Sequence, residues 1–313
     1  MELRIQCAAA VMMIRPAAFD YNTQTAASNR LQTAGEEQTA DAAELAIGEF
    51  DAAVAALRQA EVRVCVIVDE AVPPKPDAVF PNNWVSWHAD GTVVLYPLQA
   101  PNRRLERRRG ILEEVADQCG YRIRRIVDLS PFELQGRYLE GTGSLVLDHG
   151  ARRAFACRSS RTDEGLVRSW ADQLGYTPVV FDAVDAGGVP FYHTNVMLSI
   201  GHRVAVVATE SIAPADRERV LSALASGSRD IIGIDSSAVA QFAGNMLELV
   251  GAGGRAVYAL SARADRILPA ATRARLAAGT DRLLPIAIPT IERLGGGSVR
   301  CMLAEVFSPA SWT

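Results

Sequence analysis

The 313-residue chain lacks a continuous apolar stretch of the roughly 18 residues that span a bilayer. It also lacks an excess of positive charge, since 32 Lys and Arg against 36 Asp and Glu give a formal net charge of -4 at pH 7. We therefore expect neither nucleic acid nor a membrane as a partner. The one basic cluster, RRLERRR at residues 103–109, leads into LEEVADQ and predicts the polar face of a surface helix.

Cysteine is scarce and scattered. The five cysteines are Cys7, Cys65, Cys119, Cys157 and Cys301, with no CxxC pair and no histidines at zinc-ligand spacing. This pattern argues against a disulfide framework or a structural metal and favours the reducing cytoplasm. The N-terminal run MELRIQCAAAVMMIRP loosely resembles a signal peptide, but Arg15 directly after the run and the lack of a polar cleavage region weigh against one.

The chain contains a repeat of about fifty residues. Four segments, beginning at Asn83, Gly143, Asn195 and Asn245, each contain an apolar run, a polar or glycine turn and a second apolar run, which predicts a hairpin. Amphipathic patterns such as DEGLVRSWADQLG predict helices after the hairpins, and further apolar runs such as TPVVFDAV predict third strands. The content of each module is therefore strand, strand, helix, strand.

The two ends of the chain each supply part of a fifth module. CMLAEVF, from Cys301, reads as a first strand without a second, while VMMIRP near the N-terminus reads as a lone strand. Pairing these ends closes a ring of five modules, although open arrays of βαβ units have a similar period. No proline-rich or serine-rich linker divides the chain, which favours a single α/β domain over residues 1–313.

Polar or reactive residues precede the first strand of every module. They are Asn82 and Asn83 in PNNW, Glu140 in LEGTGS, His193 and Asn195 in YHTN, Asn245 in GNML and Cys301 in GGGSVRC. Taken singly, a cysteine before a strand is more often a packing residue, and an asparagine there is an ordinary turn residue. Together, a thiol, an imidazole and a carboxylate supply the residue types that covalent catalysis by a cysteine needs.

These motifs resemble those of a known superfamily. MMIRPAAFDYNTQT, FPNNWVSWH, LEGTGSLVLD, YHTNVML, FAGNMLEL and GGGSVRCMLAE together resemble the guanidine-modifying, or amidinotransferase-like, superfamily, and most of all its citrulline-utilisation hydrolases and arginine dihydrolases. The resemblance covers nearly the whole chain. It implies the five-bladed α/β propeller, in agreement with the repeat.

The resemblance also implies roles for individual residues. Cys301 would be the nucleophile, His193 the general acid and base, and Glu140 the carboxylate of the catalytic group. Asn22 and Asn83 would lie at substrate-recognition positions. We expect no metal or organic cofactor, and an arginine for the substrate's α-carboxylate, with Arg300, Arg229 and Arg15 as candidates.

The sequence departs from arginine deiminases and methylarginine hydrolases at two positions. Those enzymes have acids where this chain has Asn83 and Asn195. A carboxylate pairs with a cationic guanidinium, whereas an asparagine can both donate to and accept from a neutral ureido group. We therefore interpret Asn83, with Asn22 and Asn82, as a signature of citrulline, or of a sequence from arginine through citrulline to ornithine.

Two alternatives stay open at this stage. The first is an arginine deiminase or an amidinotransferase on the same fold, because the sequence does not decide whether water or an amine resolves the intermediate. The second is a non-catalytic propeller that acts as a binding protein. The expected partner is a small amino-acid substrate, and apolar positions on the outer helices permit a homodimer without establishing it.

Overall fold

The computed structural model describes residues 6–34, 41–225 and 227–307, which form a mixed α/β fold. The strands are β1 Ala10–Arg15, β2 Arg63–Val68, β3 Val85–Trp87, β4 Thr92–Leu95, β5 Arg125–Asp128, β6 Val146–Asp148, β7 Arg153–Cys157, β8 Thr177–Phe181, β9 Leu198–Ile200, β10 Val204–Val207, β11 Asp230–Gly233, β12 Leu247–Val250, β13 Ala256–Ser261, β14 Arg282–Ile286 and β15 Ala304–Val306. The α-helices are Ala42–Gln59, Gly110–Cys119, Gly141–Ser144, Glu164–Leu174, Pro214–Ala225, Ser236–Val239, Ala262–Ile267 and Ala270–Ala278.

One arrangement of strands recurs five times. In each unit the first strand pairs antiparallel with the second, and the second pairs parallel with the third. The units are β3–β4–β5, β6–β7–β8, β9–β10–β11, β12–β13–β14 and β15–β1–β2. At least one helix lies between the second and third strand of every unit, as a parallel crossover requires. The predicted order of strand, strand, helix, strand is therefore confirmed.

The two ends of the described chain share one unit. Strand β15 pairs antiparallel with β1, with Ala10 opposite Val306, as the sequence predicted. It also pairs in parallel with β3 through Val306 and Trp87, so that two units form one six-stranded sheet. The other three units are separate three-stranded sheets, and no sheet within the described ranges closes on itself.

The helix Glu164–Leu174 illustrates how the pattern produces the unit. Asp163 caps its first turn by accepting a 2.8 Å hydrogen bond from the backbone N–H of Leu166. Gly175 ends it in the left-handed region at φ +70°. The predicted apolar stripe is buried, and Trp170 donates a 2.9 Å hydrogen bond from Nε1 to the Tyr96 hydroxyl of the preceding unit.

The first strands begin slightly later than predicted, because short turns hold the polar residues that precede them. These include the 3₁₀ turns Pro81–Asn83, Thr194–Val196 and Val299–Met302 and the single helical turn Gly141–Ser144. Glycine lets turns of neighbouring units touch. A Cβ on Gly141 would lie 2.2 Å from the Asn82 carbonyl oxygen, and one on Gly244 would lie 2.4 Å from that of Val196.

The expectation that the cysteines form no disulfide is wrong. Cys65 on β2 and Cys119 at the end of helix Gly110–Cys119 are joined, with 6.5 Å between their Cα atoms. They are 54 residues apart in sequence, and the packing of that helix against β2 brings them together. In the described ranges, no helix is both long enough and apolar enough to cross a membrane.

Candidate active site

The turns before several first strands converge on one cavity. Its polar lining consists of Asn29, Asp77, Asn83, Arg103, Arg161, Tyr192, His193 and Cys301, and Phe80 and residues 295–297 complete it. Three predicted site residues, Cys301, His193 and Asn83, thus face the same space. A fourth, Glu140, lies against His193.

Glu140 and His193 form a buried pair. Nε2 of His193 lies 2.8 Å from Oε2 of Glu140, and both side chains are almost fully inaccessible to solvent. Burial lowers the pKa of His193 to about 4 despite the hydrogen bond to Glu140. Burial opposes ionisation of Glu140, but Arg161 and His193 hold its pKa well below the usual range. The imidazole is therefore neutral at pH 7 and donates from Nε2, which leaves Nδ1 as its basic nitrogen.

Cys301 lies in the 3₁₀ turn Val299–Met302 with 4% of its surface exposed. The glycines before it pass close to their neighbours, and a Cβ on Gly297 would lie 2.9 Å from the ring of Phe80. Its Sγ lies 3.4 Å from Nδ2 of Asn245 and 3.7 Å from Nδ2 of Asn195. Burial raises the pKa of the thiol, while these amides and Arg300 act in the opposite direction.

Asp77 and Asn83 present complementary groups to the cavity. Oδ2 of Asp77 accepts a 2.8 Å hydrogen bond from Nδ2 of Asn22, whereas its buried Oδ1 has no hydrogen-bond partner among the described residues. Burial raises the pKa of Asp77 even though Arg103 lies nearby. The Asn83 amide accepts from Arg103 at 2.7 Å and donates to Oδ1 of Asn82 at 3.1 Å.

Arg103 corrects the interpretation of the basic cluster. It belongs to the 3₁₀ helix Pro101–Glu106 and is only 2% exposed, so this residue does not lie on a solvated helix face. Glu106 accepts two 2.9 Å hydrogen bonds from its guanidinium, a bidentate contact that stabilises the buried charge. The repeated arginines of RRLERRR resemble a surface pattern because the sequence shows Glu106 beside Arg103 but not that the pair is buried.

Arg161 links the Glu140 carboxylate to the segment of residues 25–28. Its Nη1 lies 3.3 Å from Oε2 of Glu140. From Nη2 it donates to the Thr25 carbonyl oxygen at 3.2 Å and to the Ser28 hydroxyl at 2.7 Å. Arg161 therefore stabilises the Glu140 charge and holds the 25–28 segment in place.

The other predicted binding residues are buried near the cavity or directed elsewhere. Asn22 contacts Asp77 and Asn102, Asn82 contacts Asn83, and Asn195 contacts Cys301, so none of the three lines the cavity directly. Arg300 does not line it either, because its guanidinium pairs with Glu305 at 2.9 Å and with the Leu303 carbonyl oxygen.

The two other arginines predicted to bind the α-carboxylate are also paired with carboxylates of the protein. Arg229 pairs with both oxygens of Asp148, and Arg15 pairs with Asp51 at the surface. Sequence reasoning did not identify Asp77, Arg103, Arg161 or Tyr192. Asp77 lies six residues before Asn83 but resembles an ordinary turn residue, and only tertiary packing distinguishes it.

Comparisons with known proteins identify the family of the chain and proteins of similar fold. A profile of N,N-dimethylarginine dimethylhydrolases of the eukaryotic type matches residues 15–308. No curated protein sequence matches the chain. A crystal structure of dimethylarginine dimethylaminohydrolase, as an adduct with 4-chloro-2-hydroxymethylpyridine, shares 16% identity and a TM-score of 0.64, over 95% of this chain and 99% of its own.

Two further proteins of similar structure are ArgZ and AgrE. The substrate-bound N-terminal domain of ArgZ, an arginine dihydrolase from the ornithine–ammonia cycle in cyanobacteria, shares 16% identity and a TM-score of 0.72, over 96% of this chain and 98% of that domain. Another structure of that domain carries a covalently bound reaction intermediate. AgrE, in complex with ornithine and NAD+, shares 17% identity and a TM-score of 0.74 over 96% of this chain.

The chain matches less than half of the longer ArgZ and AgrE chains. The chain spans 41% of the complete ArgZ chain and 39% of the AgrE chain. The profile match, in contrast, extends over most of the described residues. The chain belongs to the N,N-dimethylarginine dimethylhydrolase family, a group of hydrolases that act on carbon–nitrogen bonds of guanidino groups, within the amidinotransferase superfamily.

Proposed function

We propose that the protein hydrolyses the terminal ureido group of citrulline through Cys301 and releases ornithine, ammonia and carbon dioxide. The observation that carries this proposal is the state of the Asn83 amide. Its oxygen already accepts from Arg103 and one N–H goes to Asn82, so its remaining N–H is what it can offer a substrate.

A ureido group fits this arrangement. Its carbonyl oxygen can accept from Asn83, and its NH2 can donate to the unpartnered Oδ1 of Asp77. A guanidinium has no acceptor for the Asn83 N–H, which would then face another donor. In the transition state, the same N–H would stabilise the charge that develops on the ureido oxygen.

The first half of the reaction forms a bond between Sγ of Cys301 and the ureido carbon. Neutral His193 takes the thiol proton as the sulfur attacks and then gives that proton to the nitrogen of the departing amine. The bond between the carbon and that nitrogen breaks, and ornithine leaves. The enzyme now carries an S-carbamoyl group on Cys301.

The second half uses water. His193 takes a proton from a water molecule as its oxygen attacks the carbamoyl carbon, and the proton returns to the sulfur as the C–S bond breaks. The product, carbamic acid, decomposes to ammonia and carbon dioxide. Glu140 would keep Nε2 of His193 protonated and thus aim Nδ1 at the reacting atoms.

Arginine is the second candidate substrate, and Asp77 favours it. A buried carboxylate oxygen without a partner can pair with a guanidinium N–H. Conversion of arginine through citrulline to ornithine would use both the acceptor of Asp77 and the donor of Asn83. ArgZ, a protein of similar fold, is an arginine dihydrolase. Deimination alone, or transfer of the amidino group to an amine, would use the same nucleophile.

We assign the substrate's α-carboxylate to Arg161 in place of Arg300. Arg161 lines the cavity, whereas Arg300, Arg229 and Arg15 do not; Arg103 also lines it, but its guanidinium is already paired with Glu106 and Asn83. Asn22 would act indirectly, by holding Oδ2 of Asp77 so that Oδ1 faces the substrate.

We further propose that the five strand units surround a common axis as a five-bladed α/β propeller, within one domain over residues 1–313. The repeated strand order and the pairing of β1 with β15 support this arrangement. A cytoplasmic location stays a prediction, and the Cys65–Cys119 disulfide weighs against it because such bonds are rare in reducing compartments.

The test is to incubate the purified protein separately with L-citrulline and L-arginine and to quantify ornithine, citrulline and ammonia. Ornithine and ammonia from citrulline are expected. Citrulline accumulating from arginine without ornithine would indicate a deiminase instead. The absence of products from both substrates across a range of pH and concentration would refute the proposal.

A further inference from the structure

The sulfur of Cys301 is held by two asparagine side chains from two other units. Asn245, in the turn before β12, is fully buried, and its Nδ2 lies 3.4 Å from Sγ. Asn195, in the turn before β9, places its Nδ2 3.7 Å from the same atom. Both side chains contact the sulfur, and neither is among the residues that line the cavity.

The backbone fixes the position of Asn245. Its Nδ2 also donates a 2.9 Å hydrogen bond to the Asn195 carbonyl oxygen, which orients the amide. Gly244 lets this turn approach Val196, where a Cβ would collide with the carbonyl oxygen at 2.4 Å. Phe242, which begins the turn, adopts φ +62°, a left-handed conformation that a bulky residue rarely adopts without support from its surroundings.

We propose that the amides of Asn245 and Asn195 position the Cys301 sulfur for attack and stabilise its thiolate with two neutral N–H donors. The proposal rests on Cys301 being the nucleophile. A hydrogen bond to an ionised acceptor is stronger than one to a neutral acceptor, so both amides favour thiolate over thiol. Asn245 can serve either form, because its Oδ1, 3.6 Å from Sγ, can accept the thiol proton.

Uncharged donors suit this position for an electrostatic reason. An aspartate at 195 or 245 would place a negative charge within about 4 Å of the thiolate and oppose its formation. Lysine or arginine would add a cation to a cavity that already contains Arg103 and Arg161. The other titratable groups of the cavity are Asp77, Tyr192 and His193, and Arg300 precedes Cys301 in the chain.

The test measures the rate at which iodoacetamide alkylates Cys301 as a function of pH, with intact-protein mass spectrometry as the readout. Asn245→Ala should move the midpoint of the pH profile upward by about one pH unit, equivalent to about tenfold slower alkylation below the midpoint. Asn245→Asp should move it further, because its charge repels the thiolate. At position 195 the shift should again be larger for Asn195→Asp than for Asn195→Ala. Both shifts should be smaller than at position 245, because Nδ2 of Asn195 lies 3.7 Å from Sγ and that of Asn245 lies 3.4 Å from it.

Three comparisons make the result decisive. Cys301→Ser gives the background from Cys7 and Cys157, the two other free cysteines of the described residues. Ser199 lies on β9, and its buried hydroxyl contacts Tyr258. Ser199→Ala removes that hydroxyl and should leave the midpoint unchanged. Asn195→Asp provides an independent measurement if an Asn245 variant does not fold.

Midpoints equal to that of the wild type in every folded asparagine variant would overturn the proposal. A general loss of packing would lower the melting temperature without moving the midpoint, and that result also counts against it. Alkylation does not require turnover. A shifted midpoint in a protein that produces no ornithine from citrulline would therefore refute the proposed function and support this inference.

Discussion

Nη1 of Arg103 donates a 2.7 Å hydrogen bond to Oδ1 of Asn83. This contact occupies the acceptor of the Asn83 amide and turns the residue into a donor toward the cavity. Glu106, paired with Arg103 on its other edge, fixes the guanidinium and so fixes the amide. The proposed preference for a ureido group thus depends on a chain of buried contacts rather than on one side chain.

Asn83→Asp should shift substrate preference toward arginine. The new carboxylate would offer acceptors where the amide offered a donor, and a guanidinium would supply the missing N–H groups. We expect the ratio of kcat/KM for arginine to that for citrulline to rise at least about tenfold. Steady-state kinetics with both substrates would check this, with Asn102→Asp as a control outside the cavity lining. An unchanged ratio would count against the assignment of Asn83.

Cys301→Ser should lower turnover of citrulline by at least about 10³-fold, because the variant lacks the thiolate. Acid-quenched wild-type protein should carry a carbamoyl group on Cys301, detectable by peptide mass spectrometry. Cys7→Ser is the matched control, since Cys7 is a buried cysteine hydrogen-bonded to Glu248. Loss of activity in the control alone, or an adduct on another residue, would contradict the role of Cys301.

Glu140→Gln should reduce kcat by about 10² to 10⁴-fold with a smaller effect on KM. The substitution keeps the shape of the side chain but removes the charge that orients His193 and pairs with Arg161. Initial-rate kinetics would separate the two constants, and thermal unfolding would confirm that the variant is folded. A folded variant with a wild-type kcat would exclude Glu140 from the catalytic group.

Two histidines outside the cavity, the buried His88 and the half-buried His149, should make stability depend on pH. Burial lowers the pKa of His88 to about 4 and that of His149 to about 3, while the unfolded chain binds these protons near pH 6.5. Their neutral forms therefore contribute stability in full above pH 6.5, and it is lost as pH falls toward 4. The double variant His88→Gln/His149→Gln should lose several kcal/mol less between pH 7.5 and 4.5 in urea unfolding. Equal losses in the two proteins would argue against this linkage.

Reduction of the Cys65–Cys119 disulfide should lower the free energy of unfolding by about 4 kcal/mol. The bond closes a loop with a sequence separation of 54, and its removal restores conformational entropy to the unfolded chain. Urea unfolding with and without dithiothreitol would measure the change. Cys119→Ala should be less stable and insensitive to the reductant. Insensitivity of the wild type would show that the bond contributes nothing to its stability.

Much of the strand arrangement could be predicted from local patterns. Alternating apolar runs predicted the hairpins, and the stripe containing Trp170 predicted the helix Glu164–Leu174. The pairing of β1 with β15 followed from counting strands per module, since each end lacked a partner. The short turns before the first strands were missed, because polar residues next to an apolar run have no strong helical pattern.

The candidate site was predicted only where residue chemistry is unusual for its position. Cys301, His193 and Glu140 stood out as a set, and the structure brings all three together. Arg103 and Arg161 did not stand out, because their burial is set by tertiary packing; Arg161 meets Glu140 only in the folded chain, and the local pair of Arg103 with Glu106 looks the same in sequence whether exposed or buried. The disulfide was missed for the same reason.

The antiparallel contact between β1 and β15 has a consequence for the order of events during synthesis. The ribosome makes β15, and Cys301 just before it, almost 300 residues after β1, whose register places Ala10 opposite Val306. Contacts of such long sequence separation form late and slow the search for the native state. Nascent chains therefore contain no assembled thiol centre until the last unit is translated, and the step that completes the sheet also delivers the nucleophile.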